Sequence, residues 1–310
     1  MECYMNKKTA VTGNLLALYP VLIWGTTFII TKKLMQSFNA AEILCTRFAI
    51  AFLLLALARL IKGKEPLPEK ASKKDELFFV AAGVIGLFLY GVLEIVSMQY
   101  TYASNTSTIV CTNPFFIALF AVIFLKEKRP GINFIIGFAV AITGIVLISF
   151  NGATEFGLNP LGDFLALICA VTWGMNTNIA KKVTDKGYGT LYVTRHVYFW
   201  GTLTMAISLP FFGFEGSFSR FTDPKTILYL LFLGIVASCT CFLAWNKATA
   251  MIGPVRSGVY IYAIPVVTII FSSIFLNEKI NLASAMGIVL VITGTVISSL
   301  NFKKKEKTIE

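Results

Sequence analysis

Charge is what this sequence has least of. Of its 310 residues only 14% are Asp, Glu, Lys or Arg, and acids are the scarcer sign, 16 against 27 basic residues. A soluble domain of this length needs far more charge to cover its surface. Histidine occurs once, as His196, so imidazole acid–base chemistry and His metal clusters have nothing to draw on. The six cysteines (Cys3, Cys45, Cys111, Cys169, Cys239 and Cys241) show no CxxC or metal spacing and read as small apolar packing residues. There is no Walker A loop, no Gly-rich phosphate cradle and no nucleophile elbow. The expectation is a protein with no catalytic residue, no metal, no cofactor and no nucleic-acid partner.

What is present is apolar. The chain is 56% hydrophobic with 27 Phe, and its mean hydropathy is +0.75. Runs of about 20 apolar residues, enough for a helix to cross a bilayer core of roughly 30 Å, follow one another closely. They predict an all-α integral membrane protein of ten transmembrane helices, at about 14–34, 40–61, 77–99, 104–125, 131–150, 160–182, 188–212, 224–248, 254–276 and 281–301. Gly25, Pro20, Pro114, Pro210 and Pro265 lie inside these runs, which is ordinary in lipid. The first run follows Lys7 and Lys8; it is too long for a signal-peptide core and lacks a small-residue cleavage site, so it reads as an uncleaved span.

The net charge of +11 reports orientation. With the N-terminus inside, cytoplasmic segments hold 20 of the 27 basic residues and outside segments five (Lys32, Lys33, Arg220, Lys225, Lys279), while Arg47 and Arg195 lie within spans. By the positive-inside rule this places both termini in the cytoplasm, in a cell inner or plasma membrane. The terminal Lys303–Lys304–Lys305 run reads as a headgroup-level anchor.

The chain also repeats itself. Trp24–Gly25 returns as Trp173–Gly174, "TRFAIAFLLL" at Arg47 as "TRHVYFWGTL" at Arg195, "NPFFIALFAVIFLKEK" at Pro114 as "IPVVTIIFSSIFLNEK" at Pro265, and "AITGIVLIS" at Gly144 as "VITGTVISS" at Gly294. The offsets are 149, 148, 151 and 150. Four motifs in order at nearly constant spacing mean two five-span halves, 14–150 and 160–301. Because five is odd, the second half enters the membrane upside down. Inverted repeats are the architecture of alternating-access transporters, with the substrate site near the midplane between the halves.

The "WG" of spans 1 and 6, the "TR" of spans 2 and 7 and the "P…LxEK" ends of spans 4 and 9 closely resemble the drug/metabolite transporter superfamily. The ten-helix exporters built from two EamA domains match best. That resemblance implies a basket of spans 1–4 and 6–9 around a central cavity, with spans 5 and 10 packed outside. It also implies export of amino acids, other small metabolites or toxic compounds by secondary transport. Nucleotide-sugar and organophosphate exchangers of the same superfamily are the alternative. From a different class, an enzyme acting on a lipid phosphate would need clustered His, Asp or Glu at one interface, and a channel or scaffold would not need an inverted duplication. The expected partners are a small-molecule substrate, the lipid bilayer and protons as a coupling ion, in a monomer or weak homodimer.

Symmetry sorts the site residues. Pairs kept in both halves read as scaffold, although Trp24 and Trp173 lie about ten residues into their spans, too deep for an interfacial belt, and read as cavity lining. Residues that break the repeat suit an asymmetric solute: Asn176 and Asn178 against Thr27 and Ile29, Asn113 against Ile264, and Tyr260 against Ile109. Tyr90, Glu94, Ser97 and Thr101 recur at helical spacing as one polar face, answered by Cys241, Trp245 and Ala248. The substrate-binding set is therefore Trp24, Thr27, Tyr90, Glu94, Asn113, Trp173, Asn176, Arg195, Trp245 and Tyr260. Each Asn or Thr can instead bond a neighbouring helix or its own backbone. Arg195 either snorkels to inner-leaflet headgroups or meets a substrate carboxylate. Glu94 and Arg47 lie at similar depth; they pair permanently, or Glu94 exchanges Arg47 for a proton or a substrate ammonium.

Overall fold

The computed structural model describes residues 7–63, 66–68, 72–100, 106, 109–149, 160–212, 218–276 and 282–300. Thr101, Lys279 and the Lys303–Lys305 run lie outside them. Among the described residues every regular element is helical: α1 (Lys7–Leu34), α2 (Ala40–Lys62), α3 (Lys73–Gly83), α4 (Tyr90–Tyr100), α5 (Asn113–Phe124), α6 (Ile132–Ser149), α7 (Pro160–Asp185), α8 (Thr190–Ser208), α9 (Pro224–Leu231), α10 (Cys241–Ile252), α11 (Pro254–Val259), α12 (Ile264–Leu276) and α13 (Leu282–Leu300), with short 3-10 turns.

The helix starts follow local chemistry. Asn39 accepts from the backbone N–H of Glu42 and Glu42 returns a bond to that of Asn39, a reciprocal cap on α2. Ser72 caps α3, and Asp223 caps α9 ahead of Pro224. Gly253 separates α10 from α11 at φ +85°, a conformation that favours glycine.

Two breaks in helical regularity were not expected. Between α3 and α4 the backbone is π-helical over Val84–Leu89, and between α9 and α10 over Phe232–Thr240. The two segments occupy matching places in the repeat, and such widened turns leave carbonyls open to side chains. The expected single span 254–276 is likewise divided, by the 3-10 turn Tyr260–Ala263 between α11 and α12.

The packing is two-fold in its pattern. α1 lies against α10 and α12, while α7 lies against α4 and α5; α2 meets the second π segment, and α8 meets the first; α2 pairs with α8, and α6 with α13. The last pair touches backbone to backbone: a Cβ on Gly294 would stand 2.5 Å from the Ala141 nitrogen, and one on Gly144 2.6 Å from the Gly287 oxygen. Small residues at such crossings are how apolar helices approach closely in lipid.

Among the described residues, five stretches are long and apolar enough to cross a membrane: Thr9–Thr31, Ala40–Lys62, Lys73–Tyr100, Pro224–Ile252 and Pro254–Phe271. Asn113–Phe124, Ile132–Leu147 and Ala285–Ser298 are apolar but shorter. That is fewer than the ten expected. α7 shows one reason, since it buries Thr172, Asn176, Thr177 and Asn178 inside the bundle, where a helix need not be apolar all round.

Candidate functional site

α1 and α7 meet at the centre through the two tryptophans of the repeat. The indoles of Trp24 and Trp173 stand edge to face, with centroids 5.4 Å apart and planes at 89°. Phe242 touches both, at 5.6 and 5.5 Å, and Tyr90 lies 5.1 Å from Trp173. These rings wall a cavity of about 70 Å³ to which both halves contribute, several times what one water needs.

Its polar lining is sparse and of both signs. Arg47 comes from α2, Glu94 and Tyr90 from α4, Thr27 from α1 and Asn113 from the first turn of α5. Arg47 Nε donates to Ser238 Oγ at 2.9 Å. The Tyr90 hydroxyl, one turn before Glu94, donates to Glu94 Oε1 at 3.1 Å. Among the described residues no ion pair joins Arg47 to Glu94. Of the two readings of this pair, the permanent ion pair is not the arrangement seen here: each charge takes a closer local partner while facing the same space. The Thr27 hydroxyl donates to its own helix at Trp24 O, 2.8 Å.

The tryptophans differ in one respect. Trp24 Nε1 donates to Ala237 O in the second π segment at 3.0 Å. Trp173 Nε1 and Asn113 Oδ1 are buried at the cavity with no hydrogen-bond partner among the described residues. A buried donor and a buried acceptor without partners are each costly unless something polar meets them.

Of the expected residues, the structure brings Trp24, Thr27, Tyr90, Glu94, Asn113 and Trp173 together at this cavity. The others lie elsewhere. Trp245, 1% exposed, packs behind the lining, 5.6 Å from Trp24 and 6.1 Å from Trp173. Asn176 presses on Gly86, where a Cβ would fall 2.0 Å from its Cγ. Tyr260 packs against Ala17, Ala248 and Ile252. Arg195 lines a separate hollow with Phe52, Glu76, His196 and Phe199. Asn178 braces α7 on α5, donating to Ile117 O at 3.0 Å and Gly174 O at 2.8 Å.

Arg47 and Phe242 line the cavity but were not among the expected site residues. The repeat keeps Arg47 as Arg195, which masked it as scaffold. The two diverge because Arg47 has Ser238 on the second π segment, whereas the corresponding stretch of the first carries Leu87, Phe88 and Leu89. Phe242 was legible: its repeat mate is Gly91, the same break in symmetry that singled out Asn113.

Comparison with known proteins agrees with this architecture. A model of the EamA-like transporter family matches residues 11–150 and again 160–300. An uncharacterized transporter of Archaeoglobus fulgidus is 27% identical over 299 residues, covering 95% of this chain and 98% of its own. The Bacillus subtilis uncharacterized transporter YetK is 25% identical, covering 92% and 85%. A protein of known crystal structure superposes with a TM-score of 0.80 at 18% identity, over 96% of this chain and 99% of that one, a likeness of fold.

Proposed function

The chain belongs to the EamA-like transporter family, and from that membership we propose that it is a secondary exporter moving a small zwitterionic metabolite, such as an amino acid, by alternating access. That it is a multi-pass membrane transporter rests on the family and its relatives. In the proposed arrangement ten spans form two inverted halves, both termini are cytoplasmic and the solute is held between the halves.

One observation carries the substrate class. One cavity presents the cation Arg47 and the anion Glu94 with no ion pair between them, beside an indole N–H at Trp173 and an amide oxygen at Asn113 that have no partner among the described residues. A carboxylate suits Arg47, whose planar fork can donate two parallel bonds to it. An ammonium suits Glu94, with the faces of Tyr90 and Trp173 alongside. Arg195 lies away from this cavity, so of its two alternatives the carboxylate role passes in this proposal to its repeat mate Arg47. An organophosphate or nucleotide sugar fits less well, since one arginine facing one glutamate leaves little net positive charge for a phosphate dianion.

Exchange in proteoliposomes without ATP tests the reading. Vesicles loaded with a mixture of neutral amino acids should take up a labelled amino acid faster than the matching amine or the matching carboxylic acid. Equal uptake of all three would overturn the zwitterion reading, and no exchange of any would overturn carriage of this solute class.

A further inference from the structure

The second hollow belongs to none of this. It lies between α2, α3 and α8, has a volume of about 360 Å³, and is lined by Phe52, Glu76, Arg195, His196 and Phe199. Glu76 is three residues into α3 and Arg195 five into α8, so at 1.5 Å per residue they stand about 5 and 8 Å from the helix starts. Those two starts sit at the same end of the bundle, because Lys186 and Tyr188, just before α8, both bond Asp75 in the first turn of α3. For a membrane protein that is headgroup depth.

The polar groups are held. The Trp200 indole N–H donates to Glu76 Oε1 at 2.7 Å, which orients the carboxylate and leaves its second oxygen as an acceptor. The Arg195 guanidinium lies 5.5 Å over the Tyr192 ring, and the His196 ring stacks on Tyr192 with centroids 3.8 Å apart. From the mouth an apolar track runs along one face of α8 at four-residue spacing, with Phe199 40% and Ile207 65% exposed. Phe52 and Phe199 stand 5.7 Å apart at its head.

We propose that this hollow is a binding site for a phospholipid whose headgroup carries a primary ammonium, with the phosphate on Arg195, the ammonium on Glu76 and an acyl chain along Phe199 and Ile207. A guanidinium recognises a phosphodiester by charge and fork geometry. A carboxylate beside it would repel a purely anionic headgroup and cannot bond a quaternary ammonium that has no N–H. A headgroup with both a phosphate and N–H donors complements the charges of both walls. The site lies apart from the central cavity and does not depend on what that cavity carries.

Native mass spectrometry of the full chain in detergent tests this, with phosphatidylethanolamine, phosphatidylcholine and phosphatidylglycerol of identical acyl chains. The wild type should retain the ethanolamine lipid about fivefold more tightly than either other, the scale of one half-exposed ion pair. Glu76→Gln keeps an acceptor for Trp200 and removes the charge, so it should erase that preference while leaving phosphatidylglycerol binding equal or stronger. Arg195→Gln should weaken all three lipids together. Equal retention by the wild type, a preference for phosphatidylglycerol, or an ethanolamine preference that survives Glu76→Gln would each overturn the proposal. The wild-type ranking needs no variant to fold.

Discussion

The Arg220 guanidinium forks onto the Glu42 carboxylate, Nη2 to Oε1 at 2.7 Å and Nη1 to Oε2 at 3.0 Å, with the glutamate side chain only 4% exposed. The bond ties the connection before α9, in the second repeat, to the first turn of α2 in the first. Arg220 also donates to Ser37 O at 2.8 Å and lies 4.9 Å over the Phe38 ring. Past the far end of α2, about 34 Å along, Asp75 of α3 receives Lys186 and the Tyr188 hydroxyl from the connection between α7 and α8. The repeats are thus clasped at both ends, each time by a residue of one half held by a connection of the other.

Breaking the first clasp from one side should be worse than removing it. Arg220→Met takes the bidentate guanidinium away from the buried Glu42 carboxylate and should cost about 3 kcal/mol. Adding Glu42→Gln, which still caps α2, should recover more than half of that loss. Thermal unfolding of the purified single and double variants reads the difference, and an additive double variant would mean that the two side chains do not depend on each other.

The repeat was the most legible part of this molecule. Matching motifs at nearly constant spacing anticipated that Trp24 and Trp173 hold equivalent places, and the structure puts them in contact. Breaks in the repeat led to Asn113 and to the face bearing Tyr90 and Glu94, which line the cavity. The same filter also selected Asn176 and Tyr260, which pack outside this lining, because a residue can break symmetry for helix packing as well as for a solute. The π segments were invisible, since no residue type marks a backbone that shifts by one hydrogen-bond position. The Arg220–Glu42 clasp was hidden for another reason: charge in a connecting loop reads as orientation, and its partner is 178 positions away.

Glycine contacts separate tight helix crossings from tolerant ones. A methyl group on Gly294 meets backbone atoms, the Ala141 nitrogen at 2.5 Å and the Gly137 oxygen at 2.6 Å. One on Gly91 meets the end of the Leu44 side chain at 3.0 Å. Gly294→Ala should therefore push α13 off α6 and cost about 2 kcal/mol or more. Gly91→Ala should come out near neutral, as Leu44 shifts and alanine gains helix propensity of about 1 kcal/mol. The reverse order of melting temperatures would contradict the close α6–α13 crossing.

Glu127, in the connection between α5 and α6, has a pH signature. Burial pushes its carboxyl above the usual range; Lys181 opposes the shift and Asp185 adds to it. A carboxylate raised in the folded state penalises folding while it is ionised, above its folded pKa, and the penalty vanishes below the unfolded value near 4.3. Glu127→Gln should accordingly raise the melting temperature at pH 7 and leave it unchanged at pH 4. A destabilised variant at pH 7 would show that contact with Lys181 outweighs burial.

The sharpest test falls on Glu94, where two roles make opposite demands. As a brace, it holds the hydroxyl of Tyr90 and balances Arg47 across the cavity, so that neutralising it should loosen the bundle. As a ligand, it meets the ammonium of the solute, and the empty protein should hardly register the change. Glu94→Gln keeps an oxygen for the Tyr90 hydroxyl, 3.1 Å away, and removes only the charge. A hydrogen bond to a charged group is worth about 1.5–3 kcal/mol. Loss of the ammonium contact should therefore lower amino-acid exchange by at least tenfold, with the melting temperature within a degree or so of wild type. The analogue without an amino group has no ammonium to lose, so its weak exchange through Arg47 should be unchanged or slightly faster. Two outcomes reject the ligand role. In one, exchange of both compounds falls together with the melting temperature, which is the mark of a brace. In the other, amino-acid exchange persists at the wild-type rate, and the cavity then recognises its solute through Arg47, Asn113 and Trp173 alone.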